Sequence, residues 1–444
     1  MSTTQANPEF NLALVGAGIT SLTLSVALTS LGIKHTIYEQ SSSLNELGAG
    51  LGFGPNAARA LKVIDPDLYK IFERVGTFAG KASQPQAETA KPVWIEFLSG
   101  TASLSDQTSA APSFTVYATH GKGHAAVHRA KWLDILASRV TAPIIFSKRF
   151  QSLTQPNAAN SEVEIHFADG TTVHHSGVIG CDGVKSKVRT ALFPEAKCTY
   201  SGKYAYRCLA PLSEAAALLG EGRAGVSSLW MGPSAHLLTF PVLNFLNMVC
   251  FVTDSTPTWP SNSTSLTVPT TKADAIRDYT NAGFSSTVLA LLNMIPDNDS
   301  TLIKWGLFDL ADNPPPRYWL NRAMIIGDAA HASTPHHGAG AGFGMEDVAV
   351  LKGLFQELLE LGGGVQDLEH VFAQFDASRR ERDQWLVQSS RRAADLYELR
   401  LGEMSIEEMR RDIETRQEIC WGFDVEGCVT EAKKGLRARL GGSA

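Results

Sequence analysis

Cysteine is scarce in this chain of 444 residues. The six cysteines (Cys181, Cys198, Cys208, Cys250, Cys420, Cys428) are widely spaced and form no CxxC pair. That spacing excludes a zinc-ribbon or disulfide framework, leaves no predicted metal site, and favours a reducing compartment. A basic surplus is missing too: 39 Lys and Arg face 45 Asp and Glu, for a formal net charge of -6. No global attraction to nucleic acid or to anionic membranes follows from such a balance. The Arg-rich stretches SRRERD (Ser378–Asp383) and SSRR (Ser389–Arg392) are interleaved with acids such as Glu381 and Asp383, and read as a solvated helix face. Charge is also absent from Phe10 to Ile33. A membrane span would need an unbroken apolar stretch, but Gly16 and Gly18 interrupt this one, Thr and Ser are frequent in it, and no Lys or Arg precedes it. The expectation is a cytoplasmic protein without a membrane span or nucleic-acid partner, a monomer or homodimer acting on a small molecule. No internal repeats occur.

Glycine, by contrast, is grouped. Three segments stand far apart: GAGITS from Gly16, GCDGVKSKVR around Asp182, and GDAAHASTPHHGAGAGFG from Gly327. Around the first, Phe10–Val15 reads as a buried strand, Thr20–Leu31 as a helix stopped by Gly32, and Lys34–Glu39 as a second strand. That is a βαβ unit, whose parallel strands need a crossover helix. Gly16 permits the tight turn, and Gly18 lets a pyrophosphate approach the backbone at the positive end of the helix. Ser21 replaces the third glycine of the usual GxGxxG with another small residue. Glu39, about 20 positions on, is placed to accept hydrogen bonds from a ribose.

Further along, VWIEFL (Val93–Leu98) reads as a strand and Lys131–Val140 as a helix. Glu162–Phe167 and Thr172–Val178 flank Asp169-Gly170 as a hairpin. From about 200 to 310 the pattern is mainly β, with KYAYRCLAPL, HLLTFPV and NMVCFVT as strands and a helical stretch near Thr271–Ile295. A buried strand Ala323–Ile326 leads into the third segment and a helix from Met345 to about Leu361; the remainder is charged and helical. The predicted class is α/β: a discontinuous Rossmann-like domain (1–80, 120–198, 312–364), an inserted, mainly antiparallel β substrate domain (81–119, 199–311), and a C-terminal helical region (365–444).

The second and third segments separate the possible dinucleotides. NAD alone has no obvious use for a further Asp-Gly turn and a distant strand–Asp–glycine–helix element, whereas FAD, with its ribityl chain and ring, does. Asp328 directly follows a buried strand, where its carboxylate can accept from sugar or ribityl hydroxyls. Gly338, Gly340, Gly342 and Gly344 leave backbone N–H groups bare before the helix, suited to negative charge on a reduced ring.

Taken together, VGAGITSL, YEQ, GAGLGFGPNAARAL (Gly48–Leu61), HRAKWLDIL (His128–Leu136), GCDGVKSKVR and IGDAAHASTPHHGAGAGFGMEDVAVL resemble the single-component FAD-dependent aromatic hydroxylases, particularly the salicylate hydroxylase-like group and its fungal relatives. The tail segment QWLVQSSRRAADLYE extends the resemblance across essentially the whole chain. It implies non-covalent FAD held by Gly16, Gly18, Glu39, Gly52, Arg129, Asp182, Asp328, Gly340 and Ala341. It also implies transient NADH or NADPH binding without a nucleotide domain of its own, and O2 as co-substrate, reacting through a flavin C4a-hydroperoxide.

The resemblance further places Arg207 and His336 as catalytic candidates, in a pocket with Phe240, His236, Pro335 and His337. On residue type alone Arg207 is either an anion clamp or a rim arginine paired with a carboxylate. Some relatives that dearomatise polyketide phenols carry Tyr where Phe240 stands. Phenylalanine lacks the hydroxyl and favours a salicylate-like phenolic acid, with or without loss of its carboxylate. The alternative substrate class is a fungal polyketide phenol, which a tailoring hydroxylase would modify.

Overall fold

Asn11–Val15 (NLALV) is apolar on both faces because it runs through the middle of a sheet covered on both sides. The computed structural model describes residues 10–44, 50–78, 92–101, 112–156, 162–256, 258–260, 265–296 and 302–441. In it a six-stranded sheet has the order Trp319–Leu320, Ala323–Ile325, Gly177–Gly180, Asn11–Val15, Lys34–Tyr38, Ile144–Ile145. Its neighbours pair in parallel, except for the edge hairpin Trp319–Leu320/Ala323–Ile325. Three adjacent strands of this sheet end at the three glycine segments. Asn11–Val15 delivers Gly16, Gly177–Gly180 delivers Asp182, and Ala323–Ile325 delivers Gly327 and Asp328 to one carboxyl-end edge. That edge is where open α/β sheets bind their ligands.

A second sheet has eight strands, in the order Thr267–Pro269, Ile303–Asp309, Thr199–Pro211, Phe245–Thr253, Ala235–Val242, Ser228–Gly232, Val93–Ser99, Phe114–Tyr117. All pairs are antiparallel but one, Ser228–Gly232 with Val93–Ser99. Strand alternation sorts its side chains. Tyr204, Tyr206, Cys208, Leu237, Met248 and Cys250 pack beneath the helices Lys272–Asn281 and Ser286–Asn293. Ala205, Arg207, Leu238, Phe240, Val249 and Phe251 occupy the other face.

Three helices, Leu368–Tyr397, Ile406–Trp421 and Val425–Gly441, make the C-terminal region. Leu396, Tyr397, Met409 and Ile413 seal the far end of the eight-stranded sheet against Ile95, Phe97 and Met231. Val425, Ala432 and Leu436 pack into the core around the six-stranded sheet. Among the described residues, no helix is long and apolar enough to cross a membrane.

Four expectations change. The Ser378–Asp383 stretch is not a solvated face throughout, since Arg379 and Asp383 are 0% exposed and meet in a buried ion pair. The helical stretch near 271–295 is two helices, because Gly283 turns at φ +76° and Ser285 starts the second by accepting from the Val288 amide. The second hairpin strand ends at His175, and Gly177–Gly180 crosses into the six-stranded sheet. The helix after the third segment begins at Gly340, not Met345. Its glycines are needed inside the helix: a Cβ on Gly344 would lie 2.5 Å from Thr20 Oγ1, and one on Gly342 would lie 3.2 Å from Ala57 Cβ. Parts of the expected 81–119 segment, and Gly48 and Ala49, lie outside the described residues.

Candidate active site

The nucleotide end begins at Gly16, whose φ of +95° lets its amide donate to Tyr38 O at 2.8 Å. A Cβ there would lie 2.7 Å from Cys181 O, so the first and second segments touch through the missing side chain. Gly18 stands at the start of helix Ile19–Ser30, which has no side-chain cap, and the space where its Cβ would project is open. Glu39 spans the turn, its carboxylate accepting from the Ala17 amide at 2.7 Å and the Ser41 amide at 2.8 Å. An ionised carboxylate has about four acceptor positions, so capacity for sugar hydroxyls is left over.

Asp182 sits against Gly16, but its carboxylate turns to its own loop. It accepts from Ser186 Oγ at 2.5 Å and from the Lys187 and Val188 amides at 2.7 and 3.1 Å. Burial pushes its carboxyl pKa up, against those hydrogen bonds. Asp328, by contrast, is exposed, and its Oδ1 lies 3.7 Å from where a Gly340 Cβ would be. It therefore faces the first turn of helix Gly340–Glu360, a second helix start without a side-chain cap, where Ala341 is half-buried. Two uncapped helix starts, an open glycine turn and two carboxylates along one sheet edge fit a dinucleotide carrying a ribityl arm and a ring.

Arg189 was not anticipated in this role. Buried at 2% exposure, it donates to Val184 O, Ala196 O and Ala329 O at 2.7 to 2.9 Å, bracing the second segment against the third. Gly52 lies in strand Gly50–Phe53, where a Cβ would be 2.6 Å from His124 Nε2 and 3.2 Å from Gly338 O. His124, forced down to a pKa of about 4 by burial, stays neutral beside that loop.

The chemistry-bearing face is that of the eight-stranded sheet. Arg207 lies with its guanidinium carbon 3.9 Å from the Trp305 ring centre, and its Nε has no hydrogen-bond partner. Burial, then the nearby Arg129 charge, brings its pKa down to about 10. Of the two readings open for Arg207, no described carboxylate supplies the paired-rim one; the guanidinium is left half-buried on the same face as the apolar Leu238, Phe240, Val249 and Phe251. Phe240 reaches to within 3.5 Å of the Gly50 Cβ position.

Beside that wall, His236 stacks on Phe251 at 4.4 Å, and His336 packs on Phe251 at 4.9 Å and on His236 at 5.3 Å. Pro335 starts the tight turn Pro335–His337 that presents His336. Both His336 ring nitrogens are buried without partners, and burial holds its pKa well below the usual histidine value. His236 Nδ1 lies 3.2 Å from Glu398 Oε1. Glu398 also accepts from Lys203 Nζ at 2.5 Å and from Thr253 Oγ1. Burial alone would raise the Glu398 pKa, but His236 and Lys203 outweigh it and bring it to about 2. An ionised Glu398 only accepts, so the His236 proton sits on Nδ1 and Nε2 is an acceptor.

His336, His236, Phe240 and Arg207 thus share one face. His337 does not join them: it stacks on Trp385, bonds Ser389 Oγ at 2.8 Å, and lines a small cavity with Trp94, Arg416 and Trp421. Lys203, Glu398 and Trp305 went unnoticed in the sequence. Lys203 and Trp305 could have been found from alternation with Arg207 along and across strands, but Glu398 comes from the far end of the C-terminal helix, which periodicity cannot bring to a sheet.

Comparison with known proteins agrees with this geometry. A family profile described as an FAD binding domain matches residues 128–390. The FAD-dependent monooxygenase orf3 of Aspergillus niger is 36% identical over 98% of this chain and 99% of its own. The salicylate hydroxylase asL1 of Sarocladium schorii is 36% identical over 98% of this chain and 93% of its own. A solved salicylate hydroxylase substrate complex superposes with a TM-score of 0.80 at 27% identity, covering 96% of this chain and 98% of that one. With an FAD-binding fold matched along its whole length by such relatives, the chain belongs to the FAD-dependent monooxygenases of the salicylate hydroxylase type.

Proposed function

We propose that this monooxygenase hydroxylates a phenolic aromatic acid of the salicylate kind, with NADH or NADPH as reductant and O2 as co-substrate. The observation that carries the proposal is Arg207, half-buried, its Nε without a hydrogen-bond partner and no described carboxylate paired with it, stacked on Trp305 within an apolar wall. A bidentate substrate carboxylate would complete it. Bound FAD supplies the chemistry of hydride acceptance and O2 activation, and the protein supplies placement and exclusion of water.

Each side chain has a task in that reading. Arg207 fixes the substrate anion, and Phe240 and Phe251 close the site to water. His336, kept neutral by burial, offers a free ring nitrogen as hydrogen-bond acceptor to the phenol hydroxyl. His236 stands behind it with Nε2 as acceptor, its Nδ1 proton held by Glu398. Gly16, Gly18, Glu39, Asp328, Gly340 and Ala341 grip the cofactor, and Arg129 and Gly52 flank its ring end. Asp182 holds its loop beneath Gly16 through its carboxylate and contributes by shaping that loop rather than by gripping the cofactor.

Oxygen consumption with NADH or NADPH should rise when salicylate is added and far less with 2,4-dihydroxybenzaldehyde, which lacks the carboxylate. Product analysis then shows a catechol-type product. The reverse preference would favour a polyketide phenol as substrate and remove the carboxylate from the Arg207 assignment.

A further inference from the structure

Asp347 lies in helix Gly340–Glu360, fully buried behind the third segment. Its Oδ2 accepts two hydrogen bonds, from the Gly327 amide at 2.9 Å and from His331 Nε2 at 2.7 Å. These two donors bracket Asp328, the exposed carboxylate of the third segment. Gly327 has φ +58° and ψ -144°, a conformation essentially restricted to glycine, and it starts the short helix Asp328–His331. Thr20, from the first segment, blocks any retreat: its Oγ1 lies 3.0 Å from the Gly327 Cβ position. Both ends of the Asp328 turn are therefore fastened to a single carboxylate oxygen.

That carboxylate is in turn aimed by helix Leu368–Tyr397. Arg379, itself 0% exposed, donates through Nε to Asp347 Oδ1 at 2.9 Å, through Nη1 to Glu346 at 2.6 Å and through Nη2 to Asp383 at 2.5 Å. Glu346 is held further by Arg382 and by Asn56 Nδ2 at 2.7 Å. The planar fork of arginine fixes direction as well as charge, which a lysine at the same place would not. No ligand need touch Asp347 for it to matter.

We propose that Asp347, aimed by Arg379, is a positioning residue that sets the affinity for FAD by fixing the Gly327–Asp328 turn, so that helix Leu368–Tyr397 controls cofactor retention. This rests on the reading of Asp328 as a cofactor ligand. Full-length apoprotein would be titrated with FAD by flavin fluorescence for Asp328→Asn, Asp347→Ala and the double variant, with circular dichroism as a check on folding. Asp347→Ala should weaken FAD at least about tenfold, the scale of a hydrogen bond to a charged group. The double variant should bind no more than about twofold worse than Asp328→Asn alone, because Asp347 acts through Asp328. Asp347→Asn, which keeps an acceptor for the Gly327 amide, should recover most of the affinity.

A double variant whose loss is the product of the two single losses overturns the proposal, since Asp347 then acts through general stability. No recovery in Asp347→Asn overturns it as well. Unchanged binding in Asp328→Asn instead sinks the reading of Asp328 as a ligand. Should Asp347→Ala fail to fold, Arg379→Lys, which keeps the charge and loses the fork, takes its place in the cycle with the same expectations.

Discussion

Two buried charged clusters divide the molecule's work, and they differ in how completely their cations are opposed. Behind the flavin segments, Arg379 and Arg382 meet Glu346, Asp347 and Asp383, and His331 leans on Asp347. Burial would lower the His331 pKa, but Asp383 and Asp347 raise it to about 9, so the imidazolium belongs to the network. On the eight-stranded sheet Lys203 and Glu398 oppose each other, yet among the described residues Arg207 has no paired carboxylate and the His336 ring nitrogens have no hydrogen-bond partner. Leaving a buried charge or donor unpaired is costly. In the proposed reading, the first cluster is the scaffold and the second face is where the substrate binds.

The sharpest break in that contrast is on the flavin side. Asp328→Ala should yield protein with little bound flavin, FAD binding at least about tenfold weaker; full flavin absorbance after purification would remove Asp328 from the site. Next is the lone cation. Arg207→Ala should raise KM for salicylate about 10- to 100-fold with flavin content unchanged, and Arg207→Lys should restore little of it. An unaltered KM would leave the guanidinium without a substrate.

The paired cation should behave differently. Glu398→Gln leaves Lys203 with the half-exposed Asp395, 3.1 Å away, as its remaining carboxylate, and should cost about 3 kcal/mol in denaturant titrations at neutral pH. The folded-state pKa of Glu398, about 2, lies below its ordinary value of 4.5. Its stabilisation is therefore present above pH 4.5 and is lost as pH falls toward 2. Wild-type stability should fall through that window, and Glu398→Gln should flatten the fall; parallel curves would contradict the assignment. The smallest effect belongs to His337→Ala. Packed on Trp385 and Ser389, it should cost about 1 kcal/mol of stability and leave kcat within about twofold. A large loss of kcat at unchanged stability would return His337 to the reaction site.

Much of the nucleotide site was legible because its signals are local. Gly16, Gly18 and Glu39 lie in one βαβ unit, and helix, turn and strand appear within a residue or two of the expected places. Asp328 was legible because a buried strand precedes it. The first turn of helix Gly340–Glu360 was misread because glycine disfavours helices in isolation, whereas here Thr20 and Ala57 leave no room for a side chain. Asp182 falls beside Gly16, but which way its carboxylate turns depends on Ser186 and two amides. Glu398 could not be read at all, since its partners His236 and Lys203 lie 162 and 195 residues away. Tertiary pairing of that kind has no periodicity to betray it.

The most direct measurement is turnover of FAD-loaded protein with salicylate, a reduced nicotinamide and isotopically labelled O2. The account predicts one labelled oxygen atom in a catechol-type product, with one O2 consumed for each nicotinamide oxidised. Nicotinamide oxidation that yields only hydrogen peroxide with salicylate and with every other phenolic acid tried would contradict it.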